Sequence, residues 1–315
     1  MSENGWKKIN VVFKLKSPLH IGYMPFKGSV VSPTRYYVPG RNLWGAITKR
    51  ITEHLCKNPK AGDYKKIGKQ VMGNFRFSYF YLYDGKTIYL PRYTDEGLKY
   101  GNITKAEFEH RFIGSIVSTE IDDETRTAKD KSLHEIEFIN NRFRDENGDI
   151  KPVMIAGCIW IKKNAKIEVK RNKEEKEETY QFKIDPIGIF IDNFNIFSEL
   201  ILGGESKYGF GHVLLDSINR VKFSNLAPFK WKNPEKIEIE SNEPIVAHLK
   251  YSKNINFKGD IELLTGRGYF DPQNCGKASN EPGKVVSELK YYLSPGSLLN
   301  NKVVGILNWA GCIES

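Results

Sequence analysis

Apolar and more polar residues alternate near the start of the chain, in the stretch INVVFKLKSPL. The apolar positions fall at every second residue, at Ile9, Val11, Phe13 and Leu15. This period places one set of side chains on a single face of an extended segment, so it predicts a half-buried strand. Pro18 is expected to end that strand, because proline has no backbone N–H to donate to a sheet.

The next periodic segment has the repeat of a helix. In YYVPGRNLWGAITKRITEHLC, a Pro-Gly turn precedes apolar residues at every fourth position, namely Leu43, Ile47, Ile51 and Leu55. One apolar stripe of this kind predicts a helix from about Asn42 to Cys56. Asn42 is the expected N-cap, because its side chain can accept from a free backbone N–H.

The middle of the chain predicts strands on either side of a long polar segment. FRFSYFYLYDGKTIYLP is rich in aromatic residues, and its Asp84-Gly85 pair predicts a hairpin turn. Residues 94–150 are polar and weakly periodic, which predicts an insertion that is partly mobile until it binds something. PVMIAGCIWIKK then predicts a buried strand, and AKIEVKRNKEEKEETYQFKI a solvated, charged hairpin.

A second helix is expected before the glycine-rich stretch ILGGESKYGFGHV. Asp192 can cap this helix, and its inward-facing positions are Phe194, Phe197, Leu200 and Ile201. The strand HVLLDSINRVKF follows the glycines.

The order of elements over residues 1–223 is therefore βαββαβ with the insertion at about 94–150. This order predicts an α+β, ferredoxin-like (RRM-like) domain, in which both helices cover one face of an antiparallel sheet. Residues 224–315 contain the further apolar runs PIVAHLKYS and NKVVGILNW. They predict a second, smaller or incomplete ferredoxin-like domain.

The positive charge is concentrated at the start of the chain. The net charge is +10, and residues 1–60 hold eleven basic residues and two acids, a surplus of nine. The rest of the chain is therefore nearly neutral. A surplus confined to one segment favours contact with phosphate, and so with nucleic acid, over a merely solvated surface.

Composition places the chain among soluble, intracellular proteins. No apolar run is long enough to span a membrane, and MSENGWKKIN lacks the apolar core of a signal peptide. Four cysteines stand far apart without a CxxC pair, as is typical of thiols in a reducing compartment. We expect a cytoplasmic protein with no cofactor.

Catalytic motifs are weak in this sequence. Six histidines form no HxH or HExxH spacing, and GGESKYGFG lacks the Gly-Lys-Ser/Thr end of a Walker loop. The glycines follow a predicted helix, which argues against a dinucleotide fingerprint. Asp122, Asp123 and Glu124 are expected to form a solvated loop and not a metal site. For His20 a structural or RNA-contacting role is favoured over catalysis, and for His212 a phosphate contact and a simple strand start remain open.

Three stretches, in the order SPLHIG, YYVPGRNLWGAI and LGGESKYGFGHV, resemble the three blocks of the RAMP superfamily of CRISPR-associated proteins. The resemblance covers residues 8–223. TRTAKDKSLHEIEFI also resembles the inserted segment of RAMP subunits in RNA-targeting, type III effector complexes. GRGYFDPQN and YYLSPGSLL are similar to the second-domain glycine region of the subunits that cap such a complex at the 5′ tag of its guide RNA.

The resemblance implies a non-catalytic subunit of a type III CRISPR effector complex, acting in antiviral defence. It would grip the 5′ tag of the guide RNA (crRNA) and contact the large polymerase-like subunit and the RAMP backbone subunits, with target RNA as a further candidate partner. No metal or membrane partner is implied. The stretch from His20 to Val38 contains neither Asp nor Glu, although backbone subunits that cut target RNA usually carry an aspartate there. Trp44 and Thr48 also replace a common Lys and Arg.

Two alternatives to this function stay open. One is a RAMP endoribonuclease that cleaves the guide precursor by metal-independent transesterification, with His20 as its acid and base. The other is a backbone subunit that lines the guide without cutting.

The expected RNA contacts follow from charge, from the helix start and from the glycines. A helix start offers free N–H groups and a positive dipole end to phosphate. Missing side chains let the glycine loop approach RNA closely, where Lys207 would meet phosphate and Tyr208 or Phe210 would stack on a base. Core packing is the alternative for Phe210. The full set of expected RNA contacts is His20, Lys27, Arg35, Arg41, Asn42, Lys49, Arg50, Arg126, Gly203, Gly204, Lys207, Tyr208, Gly209, Phe210, Gly211, His212 and Arg267.

Overall fold

The computed structural model describes residues 5–23, 30–170, 177–220, 225–265 and 288–315. Lys27, Arg267 and the domain boundary expected between residues 223 and 224 lie outside the described residues. Within the described ranges the chain is α+β, as expected, and is rich in strands with few helices.

The elements occur along the chain in the following order. The first part contains β1 (Trp6–Leu15), β2 (Val31–Ser32), β3 (Tyr37–Val38), α1 (Gly40–Leu55), α2 (Ala61–Asn74), β4 (Phe75–Phe77), β5 (Phe80–Tyr83), β6 (Pro91–Thr94), β7 (Gly97–Tyr100), β8 (Ile103–Thr104), α3 (Lys105–Phe112), β9 (Ile113–Ser118), β10 (His134–Ile139), β11 (Arg142–Arg144) and β12 (Ile150–Pro152). The middle part contains β13 (Met154–Lys162), β14 (Lys166–Lys170), β15 (Glu177–Asp185), β16 (Gly188–Ile191), β17 (Phe194–Asn195), β18 (Glu199–Ile201) and β19 (His212–Ile218). The last part contains β20 (Ile237–Ile239), β21 (Leu249–Lys250), β22 (Phe257–Lys258), β23 (Ile261–Leu264), β24 (Lys290–Leu293), β25 (Leu298–Leu299), β26 (Val303–Leu307) and β27 (Ile313–Glu314).

A seven-stranded sheet forms the centre of the molecule. Its order is β18-β19-β1-β13-β5-β3, with β4 also paired to β13. Every neighbouring pair is antiparallel, and β1 lies between β13 and β19. If β1, β5, β13 and β19 are counted as the first to fourth strands, their order across the sheet is 4-1-3-2.

The apolar face predicted for β1 is buried, at Ile9, Val11, Phe13 and Leu15, and the other face is also partly buried, which the prediction of a half-buried strand did not include. Ile9, Val11 and Phe13 face a core that includes the buried sides of α1 and α2. Trp6 and Val12, on the other face of the strand, contribute to a second core shared with the carboxyl-terminal strands. Successive side chains of a strand point to opposite faces, so β1 contributes to both cores.

The first predicted helix is confirmed, with a different start. α1 spans Gly40–Leu55, and its N-cap is Pro39, so Asn42 lies in the first turn and is not the cap. α2 was not predicted from the sequence. It packs on α1, where the Trp44 indole N–H donates to the Gly68 carbonyl at 2.9 Å. A β-carbon at residue 68 would lie 3.0 Å from the Trp44 ring, so glycine allows this close packing.

The helix expected from Asp192 is wrong. The segment forms β17 and β18 instead, joined by a turn in which the Asn195 side chain accepts from the Phe197 N–H at 3.0 Å. Phe197 and Leu200 are buried as expected, but Ile201 is exposed. In the described residues the place of the second helix in the βαββαβ order is therefore taken by strands, with β14, β15, β16 and β17 forming a sheet of their own.

Residues 94–150 contain more regular structure than their polarity indicated. They include α3 and the antiparallel hairpin formed by β9 and β10. Phe108, Phe112, Ile139 and Phe143 are buried in the first core. The turn that joins the two strands of the hairpin, residues 119–133, consists almost entirely of exposed residues.

A six-stranded sheet covers the second face of the central sheet, in the order β20-β26-β27-β21-β24-β23. A buried polar network joins the two layers. The Arg35 guanidinium forms two contacts with the Glu262 carboxylate of β23, and one of its nitrogens donates to the Tyr37 hydroxyl at 3.0 Å. Glu262 also lies 2.8 Å from His248 Nε2, and His248 Nδ1 lies 2.6 Å from the Tyr79 hydroxyl.

The pKa values of Glu262 and His248 are both lowered in this network. Burial on its own raises the pKa of the Glu262 carboxyl, but contacts with His248 and Arg35 outweigh burial and hold that pKa at about 2. Burial lowers the pKa of His248 below 6.5, by more than the neighbouring Glu262 raises it. Glu262 is therefore charged and His248 neutral at neutral pH.

We expect Glu262→Gln to lower the free energy of unfolding at pH 7 by about 2–4 kcal/mol, because it leaves a buried guanidinium without its counter-charge. The folded pKa of Glu262 lies below its ordinary value of 4.5, so its stabilisation is complete above about pH 4.5 and is lost as the pH falls towards 2. Urea unfolding of the wild type and of Glu262→Gln across this pH range measures the difference in their free energies of unfolding. That difference should become smaller as the pH falls.

Glu96→Gln is the matched control, because Glu96 forms an exposed ion pair with Lys99. Exposed pairs remain solvated, so the control should change stability little. Equal effects of the two substitutions at pH 7 would contradict the assignment of Glu262 to a buried pair.

Candidate nucleic-acid interface

The turn after β1 and the glycine loop, residues 202–211, are joined through their backbones. The Gly204 N–H donates to the His20 carbonyl at 2.9 Å, and the Gly211 N–H donates to the Pro18 carbonyl at 2.8 Å. The Leu202 N–H closes the base of the loop by donating to the Gly211 carbonyl at 2.9 Å. The loop is therefore held at both ends, with a fixed position beside the carboxyl end of β1.

At two positions of the loop, both the backbone conformation and the lack of room for a β-carbon require glycine. Gly203 has φ +78° and Gly211 has φ +84°, in the left-handed region that glycine tolerates best. A β-carbon at Gly203 would lie 2.1 Å from the His20 carbonyl oxygen, and one at Gly211 would lie 2.0 Å from the Leu202 carbonyl oxygen. Gly209 has φ +83°, but a β-carbon there would meet nothing within 4 Å.

The side chains between these glycines divide into exposed and buried ones. Lys207 is exposed, and Tyr208 is 70% exposed. Phe210 is 8% exposed and packs edge-on against Phe138 of β10, with ring centroids 5.3 Å apart. This burial corresponds to the core-packing alternative for Phe210 and leaves Tyr208 as the ring of the loop that a base can reach.

His20 lies under the loop and not on it. The residue is 4% exposed, and its Nδ1 lies 2.6 Å from the Glu137 carbonyl oxygen. Its ring fills the space beside two glycines, since a β-carbon at Gly22 would lie 2.9 Å from Nε2 and one at Gly204 would lie 3.4 Å from Cδ2. The imidazole therefore supports the turn from below.

The β9–β10 hairpin lies beside this turn and the loop. β2 pairs in parallel with β10, and Leu19 forms a bridge with Ile139 at the base of the hairpin. Arg126 is exposed in the turn at its far end, and its backbone N–H donates to the Asp122 carbonyl at 2.8 Å. Several apolar side chains of the hairpin are also exposed: Ile116, Val117, Ile121 and Leu133.

The start of α1 is covered by the carboxyl-terminal segment. The Arg41 N–H donates to the Ala310 carbonyl at 3.0 Å, and the Arg41 guanidinium lies 3.3 Å from the Thr265 carbonyl oxygen. A β-carbon at Gly40 would lie 3.0 Å from Ala310 O and from Gly311 Cα. The Asn42 N–H donates to the Pro39 carbonyl. This packing does not match the free helix start expected from the sequence.

Two further expected RNA-binding arginines have partners within the protein. Arg35 belongs to the network with Glu262 described above. Arg50 donates to the Ser198 hydroxyl at 2.6 Å, lies 3.3 Å from Glu199, and covers the ring of Phe194 at 4.8 Å. Both side chains join elements that lie far apart in the sequence.

A groove of about 250 Å³ lies between α1 and β18. Its lining consists of Ala46, Lys49, Arg50, Glu53, Glu199, Leu200, Ile201 and His212. Lys49 is exposed, with its ammonium 3.9 Å from the Glu53 carboxylate, and His212 Nε2 lies 3.4 Å from the Glu199 carboxylate. The structure thus brings Lys49, Arg50 and His212 together, in a groove whose positive charges are largely matched by acids.

The glycine loop differs from dinucleotide sites in the element that comes after it. The expectation that a helix precedes the loop was wrong, because the loop follows strand β18. In dinucleotide-binding folds the glycines open a full helix. Here a single 3₁₀ turn, Ser206–Tyr208, is followed by strand β19.

The acidic stretch near the hairpin turn has a local structural role. Asp122 Oδ1 accepts from the N–H of Glu124 at 3.1 Å and from that of Thr125 at 2.9 Å. These hydrogen bonds lower the pKa of Asp122. Across the described ranges, no three His, Cys, Asp or Glu side chains are grouped so as to hold a metal ion.

Five lysines near the start of α2 were not expected to be functional. They are Lys57, Lys60, Lys65, Lys66 and Lys69, and all are exposed. Their spacing is visible in the sequence, but the glycines at 62, 68 and 73 weaken the helical pattern of the segment that carries Lys65, Lys66 and Lys69. None of the helices in the described residues is long and apolar enough to cross a membrane.

Comparisons with known proteins give weak similarities. No protein-family model matches the chain, and no curated protein matches it. Similar solved structures include a chain of the type III-B Cmr-beta complex bound to cognate target RNA, with 11% identity over 93% of this chain and 86% of that chain and a TM-score of 0.46. A chain of the same complex with target RNA and AMPPnP has 11% identity, the same coverages and a TM-score of 0.47. A chain of the apo complex has 8% identity over 67% of this chain and 96% of that chain, with a TM-score of 0.37.

We expect Gly203→Ala to destabilise the protein by about 2–5 kcal/mol, because left-handed strain adds to a clash with the backbone of the turn. Gly209→Ala is the matched control: it has a similar φ but open space around its β-carbon. Gly209→Ala should lower the free energy of unfolding by about 1–2 kcal/mol, because only conformational strain is added. Urea unfolding measures both, and equal losses would show that contact with the His20 carbonyl does not hold the loop.

Proposed function

We propose that this chain is a non-catalytic, crRNA-binding subunit of a type III CRISPR ribonucleoprotein effector complex. In this proposal it grips the 5′ tag of the guide RNA and contacts the large polymerase-like subunit and the RAMP backbone subunits. The proposal rests on the sequence resemblance of three ordered blocks and on the geometry that the structure gives to those blocks.

One observation carries the RNA-binding proposal. The first and third blocks, SPLHIG and LGGESKYGFGHV, are joined backbone to backbone, and they present Lys207 and Tyr208 to solvent at a fixed place. An exposed cation beside an exposed aromatic ring suits a single-stranded RNA, because the cation contacts phosphate while the ring stacks on a base of any sequence. Guide–target pairing would then supply the sequence specificity.

The order of the central strands supports a RAMP-type domain. A 4-1-3-2 antiparallel order with a helix between the first and second strands is that of a ferredoxin-like sheet. We propose that the domain is a ferredoxin-like one in which strands β14–β17 replace the second helix. The six-stranded sheet that follows would be the second domain, and it lacks the helices expected of a complete ferredoxin-like unit within its described residues.

The burial of His20, the histidine of the turn, favours binding over cleavage. A general base must reach the proton that it removes, and His20 is buried under the loop with its Nδ1 at a backbone carbonyl. Carboxylates are missing from the whole stretch 20–38 of the sequence. The alternative in which His20 cleaves precursor RNA therefore needs a rearrangement of the loop.

We expect Tyr208→Ala to weaken binding of a guide RNA by roughly 5- to 150-fold, the effect of losing about 1–3 kcal/mol of stacking on one base. Fluorescence anisotropy with labelled guide RNA and the full chain measures this change. Tyr291→Ala is the matched control. Tyr291 is similarly exposed, at 59%, but it lies on β24 of the six-stranded sheet. Equal affinities of the two variants would contradict the assignment of the loop to RNA binding.

We also expect no specific cleavage when the purified protein is incubated with CRISPR repeat RNA, with or without EDTA. Denaturing gels of end-labelled RNA measure the products. Specific cleavage that disappears in His20→Ala, with the fold retained by circular dichroism, would overturn the non-catalytic proposal and favour the endoribonuclease.

A further inference from the structure

The lysines around the start of α2 form a concentrated positive surface. From Lys57 to Lys69 the chain holds five lysines and one acid, a surplus of four charges in thirteen residues. The one acid, Asp63, accepts from the Lys60 backbone N–H at 2.8 Å and so caps the helix. We call Lys57, Lys60, Lys65 and Lys69 the α2 lysine face; all four are exposed.

The charges of this face have no acidic partner among the described residues. Across the described ranges, no carboxylate forms an ion pair with any lysine of the α2 lysine face. Two lysines in the carboxyl-terminal part of the chain behave differently: Lys230 pairs with Glu243, and Lys302 pairs with Glu238 and Glu240. The α2 lysine face is therefore a place where positive charge remains available to a partner.

The helix that carries Lys65 and Lys69 is firmly held. Its buried side, at Ile67, Gly68 and Val71, packs on α1. Gln70 exchanges two hydrogen bonds with the backbone of Glu168 in β14, at 2.9 and 2.7 Å, and the Asn74 side chain donates to the Lys166 carbonyl at 2.7 Å. Lys65 and Lys69 thus stand one helical turn apart, about 6 Å along the axis, on a rigid support.

Helix α2 contacts the wall of the groove that ends at the glycine loop. The Glu53 carboxylate on the groove wall contacts Lys49 at 3.9 Å and the hydroxyl of Tyr64 in α2 at 3.4 Å. His212, which lines the same groove, is the first residue of the strand after the loop. The groove wall is therefore linked to α2 through Tyr64, the residue before Lys65, and to the glycine loop through His212.

We infer that the α2 lysine face is a second contact for the RNA backbone, reached by the strand that is held at the glycine loop. This inference rests on the proposed function and extends its site. A polyanion is the favoured occupant because no carboxylate in the described ranges pairs with the face and because, from Lys57 to Asn74, no large apolar side chain is exposed. Protein interfaces centre on such apolar or aromatic anchors, whereas phosphate contacts need only cations.

The test compares Lys65→Ala/Lys69→Ala with Lys86→Ala/Lys253→Ala in the full chain. Lys86 and Lys253 are exposed lysines in turns elsewhere, so the control removes the same charge. Anisotropy with labelled guide RNA is measured across a series of salt concentrations. Loss of two phosphate contacts on a single strand should make the slope of log K against log salt shallower by about 1.4. If the affinities of variant and wild type converge at 1 M salt, this change corresponds to a roughly 25-fold weaker affinity at 0.1 M salt.

Four outcomes decide the matter. A reduced slope for Lys65→Ala/Lys69→Ala and an unchanged one for the control supports the inference. Unchanged RNA binding by Lys65→Ala/Lys69→Ala, while Tyr208→Ala binds weakly, overturns the inference and leaves the proposed function standing. Equal slope changes in the test and control variants overturn it as well, because the effect is then one of net charge. Failure of the wild-type chain to bind guide RNA overturns both proposals.

Discussion

The position of the candidate site depends on two backbone hydrogen bonds, which join the turn after β1 to the glycine loop. β1 is buried on both faces and paired on both edges, so the turn that follows it has little freedom. Gly204 and Gly211 transfer that rigidity to the loop by donating to carbonyls of the turn. Lys207 and Tyr208 are exposed on a loop that the core of the protein holds in place.

The same geometry separates residues that act through structure from residues that can act on RNA. His20, Phe210 and Arg35 are buried or nearly so, and each is engaged with other parts of the chain. Lys207 and Tyr208 remain exposed to solvent, as does the α2 lysine face. The cations of the chain thus divide into those that hold the fold together and those that remain exposed to a partner.

Local periodicity predicted the elements that depend on local packing. The apolar stripe of α1 was recognised because a four-residue repeat sustained over three turns fits a helix and does not fit a strand. Phe194, Phe197 and Leu200 fit a short helix and two short strands with a turn between them equally well. Pairing between distant residues could not be predicted in the same way. Arg35 has the sequence context of an RNA contact, and only the fold brings Glu262 to it across 227 residues.

Photocrosslinking in the assembled ribonucleoprotein tests the central proposal most directly. Guide RNA with 4-thiouridine placed along the 5′ tag is incorporated, irradiated and digested, and mass spectrometry locates the linked peptides. The proposal predicts crosslinks from the tag to the peptide that contains Lys207 and Tyr208. Crosslinks confined to the six-stranded sheet would contradict the proposal. The same holds if neighbouring subunits are crosslinked and this chain is not.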